Sequence, residues 1–196
     1  GSILGMRQLK DDLWVFWASA TEGKVDCNGF YLLTGASRLV INPPGIADED
    51  MSTFTHLGVP THVVLTGSDR HDGASQFAAR FGSRIWLAQS VVVDIPGAHR
   101  YSANEALPGG LRSIPLPAPC EAGEVALHDS AHGALMLGAS FAAVPPGKVG
   151  PGAGVSVQAH RQNLLAVGEI NFELLLPAYG FTLHREGRRA IASSLI

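Results

Sequence analysis

Short β-rich runs, each ended by glycine or proline within a few residues, constrain this chain more than any other feature. Residues 13–17 (Leu-Trp-Val-Phe-Trp), 29–33 and 38–42 follow one another, and Thr34-Gly35-Ala36-Ser37 between the last two reads as a hairpin-like turn. Pro43 and Pro44 stop the third run, because proline cannot donate to a strand ladder. The 23 glycines and 12 prolines among 196 residues follow no period, so they mark tight turns between short elements rather than a collagen-like or linker chain. Helical spacing appears at 48–57 and again at 74–82. There Ala74, Phe77, Ala78 and Phe81 form one apolar face and Gly82 is the stop. Residues 61–66 and 84–88 read as strands on either side of that second helix, a βαβ-like unit.

The second half is again strand-rich, with runs at 111–116, 125–128 and 134–138. The stretch 144–157, dense in glycine and proline, reads as a mobile loop able to cover a pocket. A helix at 158–167, a strand at 172–176 and a helix at 185–195 follow. Two groups of strands with helices between them predict an α/β sandwich in one domain, 1–196. Residues 1–6 are read as a tag or disordered, and Gly1-Ser2 as a cloning scar.

Composition narrows the function classes. Hydrophobic residues make up 46% and charged residues 16%, against roughly 25% charged in an average domain, so a large fraction is buried and the chain is not disordered. A net charge of −3 leaves no electrostatic footprint for nucleic acid. No apolar stretch is long enough for a membrane span, and the start lacks the pattern of a signal peptide. Two cysteines without a Cys-x-x-Cys pair read as free thiols in a reducing cytosol, so a cytoplasmic protein is expected. Low charge and an aromatic early strand, with Trp14 and Trp17 on opposite faces, make a homodimer an expected partner state.

Candidate chemistry concentrates in Gly67-Ser68-Asp69-Arg70-His71-Asp72-Gly73, between a buried strand and a helix start. Asp69, His71 and Asp72 are metal-ligand types, and His71 is also a general-base type. The plainer reading makes Asp72 a helix N-cap and Asp69–Arg70 a solvated pair. Glu121 and Glu124 are general-acid types that more often are merely solvated. His128 and His132 read as surface residues, His160 and His184 as caps or solvent-facing residues, and Trp86 as core.

Several segments carry a resemblance. Leu65-Thr66 is followed by Gly67, Asp69, His71 and Asp72 and then by a small residue and a helix. Cys120 stands in a proline-rich stretch before the run at 125, Ala139 follows Leu135-Met136-Leu137-Gly138, and Tyr179 stands within Leu174-Leu175-Leu176-Pro177-Ala178-Tyr179-Gly180. The pattern resembles the metallo-β-lactamase fold superfamily over most of the chain. The resemblance implies a four-layer αββα sandwich. It places Gly67, Asp69, His71 and Asp72 on the four positions of a His-x-His-x-Asp-His motif. It also sets Cys120 on a later histidine, Ala139 on a bridging aspartate, Tyr179 on the last histidine and Asn42 on an early aspartate.

By this resemblance the scaffold is kept and the ligand pattern is not. Gly67 and Ala139 have no side-chain donor, and a phenol with an ordinary pKa near ~10 is a poor ligand. The pocket residues are then Asn42, Gly67, Asp69, Glu121, Ala139 and Tyr179, with His71, Asp72 and Cys120 as catalytic candidates. Three readings stay open. In the first, no cofactor is present and the pocket binds a small molecule or has a structural role. In the second, Asp69, His71 and Cys120 hold one zinc or other divalent ion. In the third, Cys120 is a nucleophile with His71 as its base. An active chain would be a hydrolase of a thioester, lactone or phosphoester.

Overall fold

The computed structural model describes residues 4–18, 27–182 and 186–195. Gly1-Ser2 and His184 lie outside the described residues. Seven strands form one sheet in chain order: β1 (Gly5–Lys10), β2 (Leu13–Trp17), β3 (Asn28–Thr34), β4 (Ser37–Ile41), β5 (His62–Val64), β6 (Arg84–Ala88) and β7 (His99–Tyr101). Pairing is antiparallel from β1 to β4 and parallel from β4 to β7. The second sheet contains β8 (Arg112–Pro115), β9 (Val125–Asp129) and β10 (Ala134–Leu137). After a short pair, β11 (Phe141–Ala142) with β12 (Gly150–Pro151), it is completed by β13 (Leu174–Pro177), in the order β13-β10-β9-β8. The helices are α1 (Ser52–Leu57), α2 (His71–Phe81), α3 (Val157–Gly168) and α4 (Gly187–Ser194).

The period of two along the strands sorts side chains into layers. Val125 and Leu127 on β9, Ala134 and Met136 on β10, and Leu174 and Leu176 on β13 join the core shared with the large sheet. Their neighbours Ala126, Leu135, Leu137 and Leu175 join a second core with Leu164, Val167, Ala190 and Ile191 of α3 and α4. On the outer face of the large sheet, Phe54 of α1 meets Phe16, Tyr31 and Phe77 with ring centroids 5.0, 5.6 and 5.0 Å apart. The result is the expected four-layer αββα sandwich.

Two local features aim the site. Pro43 and Pro44 end the pairing of β4, and α2 packs its first turn onto the Pro43 carbonyl. Only a residue without a Cβ fits there, and the residue is Gly73. At the other end Gly82 takes φ 70, the left-handed cap that closes α2.

Several sequence expectations need correction. Residues 5 and 6 are ordered in β1, and β7 has too few β-branched residues to read as a strand. Helix α2 starts at His71, so His71 and Asp72 stand in its first turn and not in the loop; Arg70 is the N-cap position, without a side-chain cap. The segment 144–157 contains β12 and the buried Val149, which tie it to the body. His160 is buried, its Nε2 2.9 Å from the Val149 carbonyl oxygen. His132 is not a surface residue: its Nδ1 lies 2.7 Å from Oδ2 of the buried Asp129. Trp86 is half-buried, its indole N–H donating to His62 Nδ1 at 3.0 Å. No helix among the described residues is long and apolar enough to cross a membrane.

Phe54 is fully buried among three aromatic rings. Phe54→Ala is expected to destabilise the chain by about 3–5 kcal/mol in urea unfolding, the range for emptying an aromatic core position.

Candidate functional site

The chain ends of β4, β5, β10 and β13 point to one edge of the sandwich, and their loops build the site. Asn42 follows β4 with φ 47, a conformation that asparagine tolerates better than most residues. Its side chain is buried and spans to the loop after β5. Oδ1 accepts from the Thr66 N–H at 3.0 Å and Nδ2 donates to Thr66 Oγ1 at 3.0 Å.

Arg70 lies at the centre. Its side chain is 6% exposed, where the sequence reading had a solvated pair. Nη1 donates to the carbonyls of Asn28 at 3.1 Å and Asn42 at 2.8 Å, and Nη2 to that of Ala178 at 2.9 Å. Nε donates to Tyr179 Oη at 3.3 Å, and the guanidinium carbon lies 4.7 Å from the Tyr179 ring centre. Asp69 supplies the nearby negative charge, with Oδ2 3.7 Å from Nε, and accepts from Tyr179 Oη at 2.6 Å. Burial, helped by the Asp69 hydrogen bond, pushes the Tyr179 phenol up to about 12, while Arg70 pulls it down.

A second group of acids surrounds Gly67. A Cβ at this position would stand 3.0 Å from Glu121 Oε2, 3.5 Å from Glu124 Cγ and 3.8 Å from Asp69 Oδ1. Glu121 accepts from the Ser68 N–H at 2.9 Å and from Ser68 Oγ at 2.5 Å. Glu124 is 2% exposed and not solvated. It accepts from the Ser140 N–H at 3.1 Å, Ser140 Oγ at 2.9 Å and Cys120 Sγ at 3.4 Å. Burial pushes the Glu124 carboxyl up to about 7, opposed by the Ser140 hydrogen bonds and assisted by the charge of Asp69. Cys120 is an exposed free cysteine whose thiol is partly desolvated, which with Glu124 and Asp69 close by pushes it up to about 11.

No family model and no curated protein matches the sequence. Solved structures do match the fold. A metallo-β-lactamase from Pontibacter korlensis superposes with a TM-score of 0.75 at 14% identity, over 98% of this chain and 99% of that one. The DIM-1 metallo-β-lactamase gives 0.76 at 12% identity, over 100% and 98%. FIM-1 from Pseudomonas aeruginosa, in its mono-zinc form, gives 0.73 at 14%, over 98% and 94%. The chain has the metallo-β-lactamase fold. At these identities the likeness carries the fold and not the activity.

On a metallo-β-lactamase fold the donor set can be tested against a metal. Asp69, Cys120, Glu121 and Tyr179 come together with Asn42 and Gly67, and Ala139 lies half-buried next to Ser140. His71 does not join them. Its side chain is 56% exposed, with Nδ1 3.0 Å from the Ser68 carbonyl oxygen and Nε2 3.1 Å from Asp72 Oδ1. Asp72 itself is 93% exposed in the first turn of α2, where the helix dipole favours its charge. Gly67 and Ala139 bring no donor. A metal ion would have to displace the protons of Cys120 and Tyr179, and the described residues contain no group of three His, Cys, Asp or Glu side chains arranged to hold one. These residues do not fit a zinc pair.

Sequence reasoning missed Arg70 as a buried cation, along with Ser140, Ser68 and Asn28, and weighed Glu124 only as a general-acid type that is more often solvated, whereas it is buried. One signal was available for Glu124, which directly precedes the wholly apolar Val125-Ala126-Leu127.

Two outcomes follow. Arg70→Met removes the guanidinium from three buried carbonyls, of which that of Ala178 keeps the Asn28 N–H at 2.8 Å, and leaves Asp69 without its cation; it is expected to lower stability by about 3 kcal/mol in urea unfolding. Glu124 has a folded-state pKa of about 7, above its ordinary 4.5. Its contribution to stability is therefore complete below 4.5 and is lost as pH rises through about 7, a swing of up to about 3 kcal/mol. Glu124→Gln should flatten that part of the stability–pH curve.

Proposed function

We propose that this chain is a small-ligand-binding, non-catalytic protein of the metallo-β-lactamase fold that works without a metal. The observation behind this reading is the closure of its polar centre. Arg70, Asp69 and Tyr179 satisfy one another, and so do Ser68 with Glu121 and Glu124 with Ser140 and Cys120. A metal-dependent hydrolase needs an open coordination position and a water acidified by the ion. Here a guanidinium occupies the centre, fixed by carbonyls from separate segments. The chain's residues bind and orient; they offer no poised nucleophile, since the Cys120 thiol is held protonated at neutral pH with its proton directed at Glu124.

One observation favours a second reading, hydrolysis of a thioester, lactone or phosphoester. Glu124 titrates near neutrality 3.4 Å from Cys120 Sγ, within the range of a general base. In that reading Glu124 takes the place of His71 as the partner of the thiol.

Elemental analysis of protein purified without chelator separates these readings from a metalloenzyme. The expected result is no stoichiometric transition metal. One or two zinc ions per chain would overturn the proposal. A panel of thioesters, lactones and phosphoesters should show no turnover. Turnover abolished by Cys120→Ala and indifferent to chelator would establish the thiol reading instead.

A further inference from the structure

Next to the closed centre lies a cavity of about 360 Å³ between β1–β2 and the residues after β13. It falls within the size range of small-molecule sites. Val15, Trp17, Pro146 and Phe181 give it apolar walls, and Arg7 and Thr182 line it with polar groups. The register puts Arg7 opposite Val15 and Gly5 opposite Trp17, so Arg7, Val15 and Trp17 share one sheet face. The indole of Trp17 lies against the β1 backbone because Gly5 lacks a Cβ, which would otherwise fall within the ring. The aromatic wall is thus positioned before any ligand arrives. Phe181 is 48% exposed, a large apolar ring left open to solvent at the same cavity.

Arg7 shows which chemistry fits. Its Nη2 donates to Thr182 Oγ1 at 3.0 Å, and it takes part in none of the ion pairs among the described residues. A guanidinium fork without a carboxylate, beside two aromatic rings, matches a planar anion in both charge and shape. In the neighbouring centre the Arg70 guanidinium is already committed to three carbonyls and Asp69, and Asp69, Glu121 and Glu124 converge on Gly67, so a carboxylate finds no free cation there.

We propose that this cavity binds a small aromatic carboxylate, with its ring between Trp17 and Phe181 and its carboxylate on Arg7. The proposal rests on the reading of the chain as a metal-free binding protein and names the ligand class for it.

The test is a titration of the full chain with naphthalene-1-carboxylate, followed by amide NMR shifts and by tryptophan fluorescence. Saturable shifts are expected on β1, on β2 and at Gly180 to Thr182. Arg7→Gln should weaken binding about tenfold or more, as loss of a charge-assisted hydrogen bond does, and the neutral naphthalene-1-methanol should bind correspondingly less well. Arg7 is exposed, so the variant is expected to fold, and Phe181→Ala gives an independent loss of affinity on the other wall. Absence of saturation at millimolar ligand would overturn the proposal. So would affinity unchanged in Arg7→Gln, or a dimer in sedimentation that Phe181→Ala dissociates, since a second copy would then cover the face. Chelator-sensitive shifts centred on Ser68, Asp69 and Cys120 would overturn the metal-free reading as well. Stoichiometric zinc with shifts still confined to β1, β2 and Phe181 would overturn that reading alone.

Discussion

A guanidinium that is 6% exposed must find acceptors inside the protein, and Arg70 finds them on three segments distant in sequence. The carbonyl of Asn28 opens β3, that of Asn42 closes β4 and that of Ala178 follows β13, the last of these 108 residues from Arg70. Asp69 gives the charge its partner, and the Tyr179 ring lies beside it. These loops form the edge on which the candidate site lies. Here a side chain fixes them, and the cross-link is made by the chain itself.

The rest of the site follows from that fixed cation. Tyr179 donates to Asp69 because Asp69 faces Arg70, and the phenol keeps its proton. Asp69 in turn raises the carboxyl of Glu124 and the thiol of Cys120, both already raised by burial. The absence of a side chain at Gly67 leaves the space in which Glu121 and Glu124 come together. Asp69, Cys120, Glu124 and Tyr179 are thereby each turned toward another group of the same chain, while His71 and Asp72 stay exposed outside this network. A cavity open to a ligand lies to one side, where Trp17 and Phe181 border it at Arg7.

The elements were legible in the sequence because they depend on local pattern, and their arrangement in four layers came from the resemblance. The continuous apolar runs 125–127 and 134–137, the i, i+3, i+4 spacing from Ala74 to Phe81, and the prolines after Asn42 each act within a few residues. Asp69 and Glu121 could be nominated from their residue types in loops, and Cys120 and Tyr179 because resemblance aligned whole loops. The role of Arg70 could not be read, because burial of an arginine is decided by acceptors that arrive from β3, β4 and the end of β13. Glu124 was misjudged for the same reason: its partners Ser140 and Cys120 lie on different loops. His71 was placed in the loop because the apolar face that marks the helix begins only at Ala74. In the folded chain Gly73 is what lets the first turn of α2 approach Pro43.

We propose that a side-chain cation, and not a bound ion, holds this edge of the fold together. Thermal unfolding of the wild-type chain in excess zinc, compared with the same protein in excess chelator, addresses it most directly. Any ion bound by the folded state alone raises the midpoint by mass action. The two midpoints should coincide, with Arg70→Met melting lower in both conditions. A midpoint several degrees higher in zinc than in chelator would contradict the claim.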